Sequence, residues 1–162
     1  MKYLDLAIAN EQIKTTDIKG KGYAEVNQRI KAFRMVYPTG IIETEIISNE
    51  PDEENIHTCL FRAMVGYREN GELYTLGTGT AYEKEDSTFI NKTSYIENCE
   101  TSAVGRALGM AGFGIDTSIA SAEEVTNAIN NQEKMATPEQ LTILGNLTPD
   151  VKDKLRMIVL ND

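Results

Sequence analysis

Apolar residues along this chain change period twice, and the changes mark its elements. Tyr23, Val26, Ile30, Phe33 and Tyr37 recur three and four apart, which places them on one face of a helix over about 23–37. Pro38-Thr39-Gly40 stops it. Arg29, Lys31 and Arg34 lie off that stripe and read as a solvated face or a basic patch. The period then falls to two. Ile42, Thr44 and Ile46 alternate with Glu43 and Glu45, as in a half-buried strand. His57 to Tyr67 and Glu72 to Tyr82 are β-rich runs around Asn70-Gly71, the signal for a two-residue type I′ hairpin. That turn fixes a register in which Tyr67 faces Tyr74, Val65 faces Leu76, Ala63 faces Thr78 and Phe61 faces Thr80. The opposite face then carries Arg62, Met64, Gly77, Gly79 and Arg68, and is thin enough for a helix or a nucleic-acid backbone to approach.

Residues 93–115, TSYIENCETSAVGRALGMAGFGI, return to helical spacing. Ser94 and Glu97 have capping-box spacing at the start. Gly112 and Gly114 supply a left-handed finish. Cys99, Ala103, Ala107 and Ala111, each four apart, make one very thin face, and Gly105 and Gly109 thin the neighbouring one. Interior glycines cost about 1 kcal/mol each relative to alanine, so close packing or close ligand approach must offset them.

The flanks are less patterned. The first twenty residues read as irregular, ending in the loop DIKGKG (17–22), whose glycines lack P-loop spacing. Asp52, Glu53 and Glu54 sit in an exposed loop, and 83–90 is a polar connection. Ser121 and Glu124 form a second capping box, followed by Val125, Ala128 and Ile129 on a modest apolar face. Thr137-Pro138 and Thr148-Pro149 are helix starts. The organisation expected is a core over 1–129, a linker at 130–136 and a small helical appendage over 137–162. The fold class is α+β: an antiparallel sheet, built from the hairpin and at least one further strand, with a long helix across it.

Composition narrows the function. A chain of 162 residues holds one sizeable core. No apolar run approaches the roughly 20 residues of a membrane span. Cys59 and Cys99 make neither a disulfide framework nor a metal cluster, and a reducing, intracellular setting fits them. His57, the lone histidine, has no ligand partner near it in sequence. The formal net charge of −9 opposes binding of nucleic acid by bulk charge, so any such binding needs a local cationic groove.

The sequences YAEVNQRIKAF (23–33), the hairpin at Asn70-Gly71 and ETSAVGRALGMAGFGI (100–115) together resemble the phage single-strand annealing proteins of the Rad-fifty-two-like superfamily, which includes the essential-recombination-function (Erf) proteins. In that family a helix with a K-R-A-L segment follows a β-hairpin and packs across the sheet. Here Gly105-Arg106-Ala107-Leu108 takes that place, keeping the arginine and putting glycine for lysine. The resemblance implies ring or filament homo-oligomers in the cytoplasm of a bacterial host. These hold single-stranded DNA by its backbone and anneal complementary strands without ATP, cofactor or metal, in phage recombination and repair. It implies backbone contacts by Arg106, Arg62 and Arg68, with Lys92 and Lys84 at a groove rim. Lys19, Lys21, Arg29, Lys31 and Arg34 form a second candidate set. The strand bearing Glu43 and Glu45 is expected to turn away from DNA. The C-terminal helices would contact other subunits or a single-strand-binding protein.

Two other readings compete with annealing. A non-enzymatic interaction module, a phage adaptor or antagonist of a host protein, accounts for the acidic charge. A metal-dependent nuclease would need Glu43, Glu45 and Asp52 or Glu53 to converge on one ion.

Overall fold

The computed structural model describes residues 3–115 and 118–133. The chain divides into two compact units, Met1–Ala128 and Ile129–Asp162. The first contains helix α1 (Tyr3–Glu11), strands β1 (Thr15–Ile18) and β2 (Lys21–Ala24), and helix α2 (Val26–Val36). Strands β3 (Ile41–Pro51), β4 (His57–Glu69) and β5 (Glu72–Lys84) follow, then α3 (Asn91–Met110) and α4 (Ala122–Glu133). The last turn of α4 reaches into the second unit and occupies the start of the expected 130–136 linker. The expected appendage over 137–162 lies outside the described residues.

The α+β class holds, with two antiparallel sheets, β1-β2 and β3-β4-β5. The N-terminal segment departs from expectation. It forms α1 and a hairpin whose turn residues Lys19 and Gly20 both have positive φ, 54° and 81°. DIKGKG is therefore a tight turn of the I′ kind, in which glycine takes the second left-handed position.

The Asn70-Gly71 turn forms as its residues dictate, with φ of 53° and 86°, and Tyr67 pairs with Tyr74. Beyond it the expected register fails by one residue. A bulge at Leu76 shifts the pairing so that Val65 meets Gly77, Ala63 meets Gly79 and Phe61 meets Ala81. An extra residue in one strand reverses the facing of everything beyond it. Gly77 and Gly79 thus turn toward α3, while Arg62 and Met64 turn to the other side.

The reason lies in the seam with α3. A Cβ on Gly77 would stand 2.4 Å from the Ala107 carbonyl oxygen, and one on Gly79 2.5 Å from the Ala107 nitrogen and 2.6 Å from the Ala103 oxygen. No side chain fits there. Cys99, Ala103 and Ala107 are fully buried against this strip, so close packing accounts for the small-residue stripe. Gly105 and Gly109 admit α2 on the adjoining side, where added Cβ atoms would lie 2.7 Å from Val26 Cγ2 and 2.8 Å from Arg29 Nη1.

Helix α3 ends in a Schellman arrangement. Phe113 N–H donates to the Leu108 oxygen at 3.0 Å and Gly112 N–H to the Gly109 oxygen at 2.9 Å, with Gly112 at φ 95°. The start differs from the expected box. The helix begins three residues early at Asn91, and Ser94 forms a kink with φ −141° and ψ 27°. Buried Asn91 anchors this entry: its Nδ2 donates to Glu83 Oε2 and to Ser87 Oγ at 2.7 Å each, and its Oδ1 accepts from Asn98. The second capping box forms in full, Ser121 N–H to Glu124 Oε2 at 2.9 Å and Glu124 N–H to Ser121 Oγ at 3.3 Å.

Candidate nucleic-acid interface

Both faces of the three-stranded sheet can be assigned from alternation and contacts. Thr44 donates to Glu100 of α3, Tyr95 of α3 donates to Asn49, and Ile42 joins the core, so β3 shows Ile41, Glu43, Glu45, Ser48 and Glu50 on the opposite, open face. Cys59, Phe61, Ala63 and Val65 are buried on the helix side, which leaves Thr58, Leu60, Arg62, Met64 and Arg68 open on β4. From β5 come Leu73, Thr75, Thr78, Thr80, Tyr82 and Lys84. Cross-strand rows then read Ser48–Leu60–Tyr82, Glu45–Arg62–Thr80 and Glu43–Met64–Thr78.

This face is divided by charge. On β3 every ionisable group is a carboxylate. On β4 and β5 the charged side chains of the open face are Arg62, Arg68 and Lys84. Arg62 and Arg68 form no ion pair among the described residues. A shallow groove of about 290 Å³ lies between Glu43, Glu45, Arg62 and Met64. Tyr82 is 74% exposed, a large aromatic left standing on the sheet. The acidic strand therefore does not turn away from the arginines; it borders them, because antiparallel pairing sets Glu45 directly opposite Arg62.

The remaining candidates scatter. Arg29 is fully buried, 0% exposed, and belongs to the interior rather than to any basic surface. Its Nη1 donates to the Gly105 and Ile119 oxygens at 2.7 Å each, and its Nη2 to the Ser118 and Ala120 oxygens at 2.6 and 3.2 Å. Burial lowers its pKa, opposed by Glu124 and Glu123. The helical spacing of Val26, Arg29 and Phe33 already places it on the buried face, where a cation was read as off-stripe. Arg106 pairs with Glu124 at 3.1 Å. Lys84 pairs with Asp52 at 2.9 Å, an exposed bridge of small energetic weight whose hydrogen bond raises the lysine pKa and lowers that of the aspartate. Arg34 donates to the Gly40 oxygen beside the Phe33 ring. Lys21 lies over Tyr23, Lys31 is exposed on α2, and Lys92 is exposed in the first turn of α3. Only Arg62 and Arg68, with Lys84 at the far end, share the open face.

No group of three or more His, Cys, Asp or Glu suited to a metal occurs among the described residues. Cys99 is no nucleophile: burial first, then Cys59, pushes its thiol up to about 12. No helix among the described residues is long and apolar enough to cross a membrane.

Sequence reasoning missed Tyr82 and the charge division. The alternation of Thr78, Thr80 and Tyr82 was visible, but without the bulge it pointed to the wrong face.

No curated protein matches the chain. A family profile described as Slr1353 N-terminal dsRNA-binding domain-like matches residues 30–111, from within α2 to the C-cap of α3. That match overturns the resemblance to Rad-fifty-two-like and Erf annealing proteins. The features behind the resemblance, a helix, a hairpin sheet and a small-residue helix packed on it, are the α2-β3-β4-β5-α3 succession that the matching family covers. Since the match spans half of the sequence, from within α2 through β3, β4, β5 and α3, the chain belongs to the Slr1353 N-terminal dsRNA-binding domain-like family.

Proposed function

We propose that this protein is a non-enzymatic nucleic-acid-binding domain that holds single-stranded DNA by its backbone and speeds the pairing of complementary strands without ATP. The observation that carries the reading is the pair Arg62 and Arg68, which among the described residues form no ion pair and stand on an open sheet face, in a chain of a nucleic-acid-binding-like family. The family description refers to double-stranded RNA. A duplex grip of that kind spans about 16 bp and needs cations distributed along the domain. Here the loop after β3 carries Asp52, Glu53 and Glu54, which would repel a second phosphate track. A single strand laid along β4 and β5 from Arg62 to Arg68 runs beside the β3 carboxylates rather than over them, and stops short of Lys84, where Asp52 of that loop is bridged. Annealing needs no catalytic group, since stacking already makes it downhill by about 1.4 kcal/mol per step. The protein has only to neutralise repulsion and extend the strands. A ring or filament of subunits multiplies a weak patch into avidity. Recombination of phage DNA within a bacterial host cell is the setting in which such pairing is used. In this reading residues 137–162 would contact a single-strand-binding protein.

Two phosphate contacts on a single strand give a salt slope of about −1.4, or roughly a sevenfold loss of affinity per subunit between 50 and 200 mM salt. The test is pairing of two labelled complementary oligonucleotides, without ATP, at both salt concentrations. Wild type should accelerate pairing, and R62A/R68A should lose both the acceleration and the salt slope. R106A should behave as wild type, because Arg106 is engaged with Glu124. Failure of wild type to bind a single strand at low salt would end the reading. It would favour an interaction module, which the β3 carboxylates and the acidic loop also suit.

A further inference from the structure

The open face holds one more group whose placement suggests a role. Tyr82 is a large ring, 74% exposed, near the C-terminal end of the edge strand β5. It belongs to none of the aromatic stacks of the opposite side, where Tyr37, Tyr67 and the exposed Tyr74 lie ring on ring with centroids 5.0 and 5.1 Å apart. Its cross-strand neighbour is Leu60, itself only half-buried, so ring and aliphatic side chain form a small apolar platform. Arg62 pairs with Thr80, two residues from Tyr82 on the same face. Such diagonal neighbours are about 7–8 Å apart, within reach of two long side chains. Arg62 and Arg68, six residues apart on β4, are separated by about 20 Å at 3.3 Å per residue. Between them β5 presents the hydroxyls of Thr75, Thr78 and Thr80 and, among the described residues, no carboxylate on this face.

Building on the binding reading above, we infer that Tyr82 is a base-stacking platform. A single unpaired base lies on its ring while Arg62 takes the adjacent phosphate, and the rest of the strand runs along the threonines toward Arg68. The cationic half of the face matches a polyanion, and the carboxylates of β3 keep the strand off the other half. Bases inside a duplex are already stacked on both sides and offer no free face, so the platform selects single strands. One ring per subunit pins one base and leaves its neighbours free to search for partners. Removing a base–aromatic stack weakens binding about 5- to 150-fold, the range that alanine substitution at such platforms produces.

The chain contains no tryptophan, so Y82W places a single fluorescent reporter on the face. Its emission is followed on addition of an oligothymidylate, an abasic oligomer of equal length and a blunt duplex of equal length. Binding of each is measured separately by anisotropy of an end label. Stacking predicts quenching by the oligothymidylate alone, tighter binding of the oligothymidylate than of the abasic strand, a 5- to 150-fold loss in Y82A and near-wild-type affinity in Y82F. Binding of the oligothymidylate without quenching, or with equal affinity in Y82A, overturns the platform and leaves the binding function standing. Equal quenching by the duplex overturns the single-strand selectivity. Absence of any binding by wild type at low salt overturns the function on which the platform rests.

Discussion

Replacing Arg29 by methionine separates a structural cation from a DNA contact. Methionine has similar length and fills the channel, yet donates nothing. The guanidinium ties four carbonyls: Gly105 inside α3, and Ser118, Ile119 and Ala120 in the segment that leads into α4. The last three lie outside any helix ladder and lose their donor together. Hydrogen bonds to a charged donor contribute about 1.5–3 kcal/mol each, but they share one cation and are not additive. The desolvation of that cation is recovered when it is removed, which offsets part of the loss. Buried carbonyls left without a donor cost about 1–3 kcal/mol each, so after that offset the net cost is about 3–5 kcal/mol. Domains of this kind hold about 5–15 kcal/mol in all, so R29M should fold but marginally. With a urea slope of about 2 kcal/mol/M the midpoint should fall by about 2 M. The assay is urea unfolding followed by circular dichroism, alongside single-strand binding at low urea. A midpoint shift below about 0.5 M, together with a clear loss of binding, would refute the buried role and return Arg29 to the surface.

Two further predictions concern the fold. G79A should destabilise by about 1–3 kcal/mol or prevent folding, because the new Cβ meets backbone atoms of Ala103 and Ala107 that cannot move aside, and thermal melting checks it. Glu83 has its pKa raised, first by burial, with the Asn91 hydrogen bond acting against the shift. The folded state therefore holds that proton more tightly than the unfolded chain, and stability falls as pH rises from the ordinary carboxylate range through the raised value. E83Q keeps an acceptor for Asn91 and removes the titration. It should be more stable than wild type at neutral pH, and the difference should vanish in acid, as read by urea unfolding at several pH values. An unchanged pH profile in E83Q would show that Glu83 ionises freely.

The elements that sequence made legible were those fixed by local chemistry. Asn70-Gly71, Ser121 with Glu124, and Gly112 each demand one backbone geometry whatever surrounds them. The 23–37 stripe located α2, although Arg29 shares the face of Val26 and Phe33 and no periodicity tells a buried cation from a solvated one. The small-residue stripe and the strand glycines Gly77 and Gly79 each announced a close neighbour, and they do meet each other; what stayed hidden was which β4 residues share that face. The open face stayed hidden, since its composition depends on a single residue of register at Leu76. The early start of α3 was hidden for a similar reason. Asn91 is held by Glu83 and Ser87, contacts that no short window of sequence reveals.

The bulge at Leu76 also bears on how this domain can change. Beyond it the hairpin shows glycine to α3 and threonine with Tyr82 to the outside. Losing one residue from β5 would exchange the two columns, driving hydroxyls and a tyrosine into a seam with no room for a methyl group. Single-residue insertions and deletions in β5 should therefore be absent among functional variants, whereas the loop after β3 can vary in length. Strand β5 works as a two-sided part with a fixed phase, and its length is as constrained as any of its side chains.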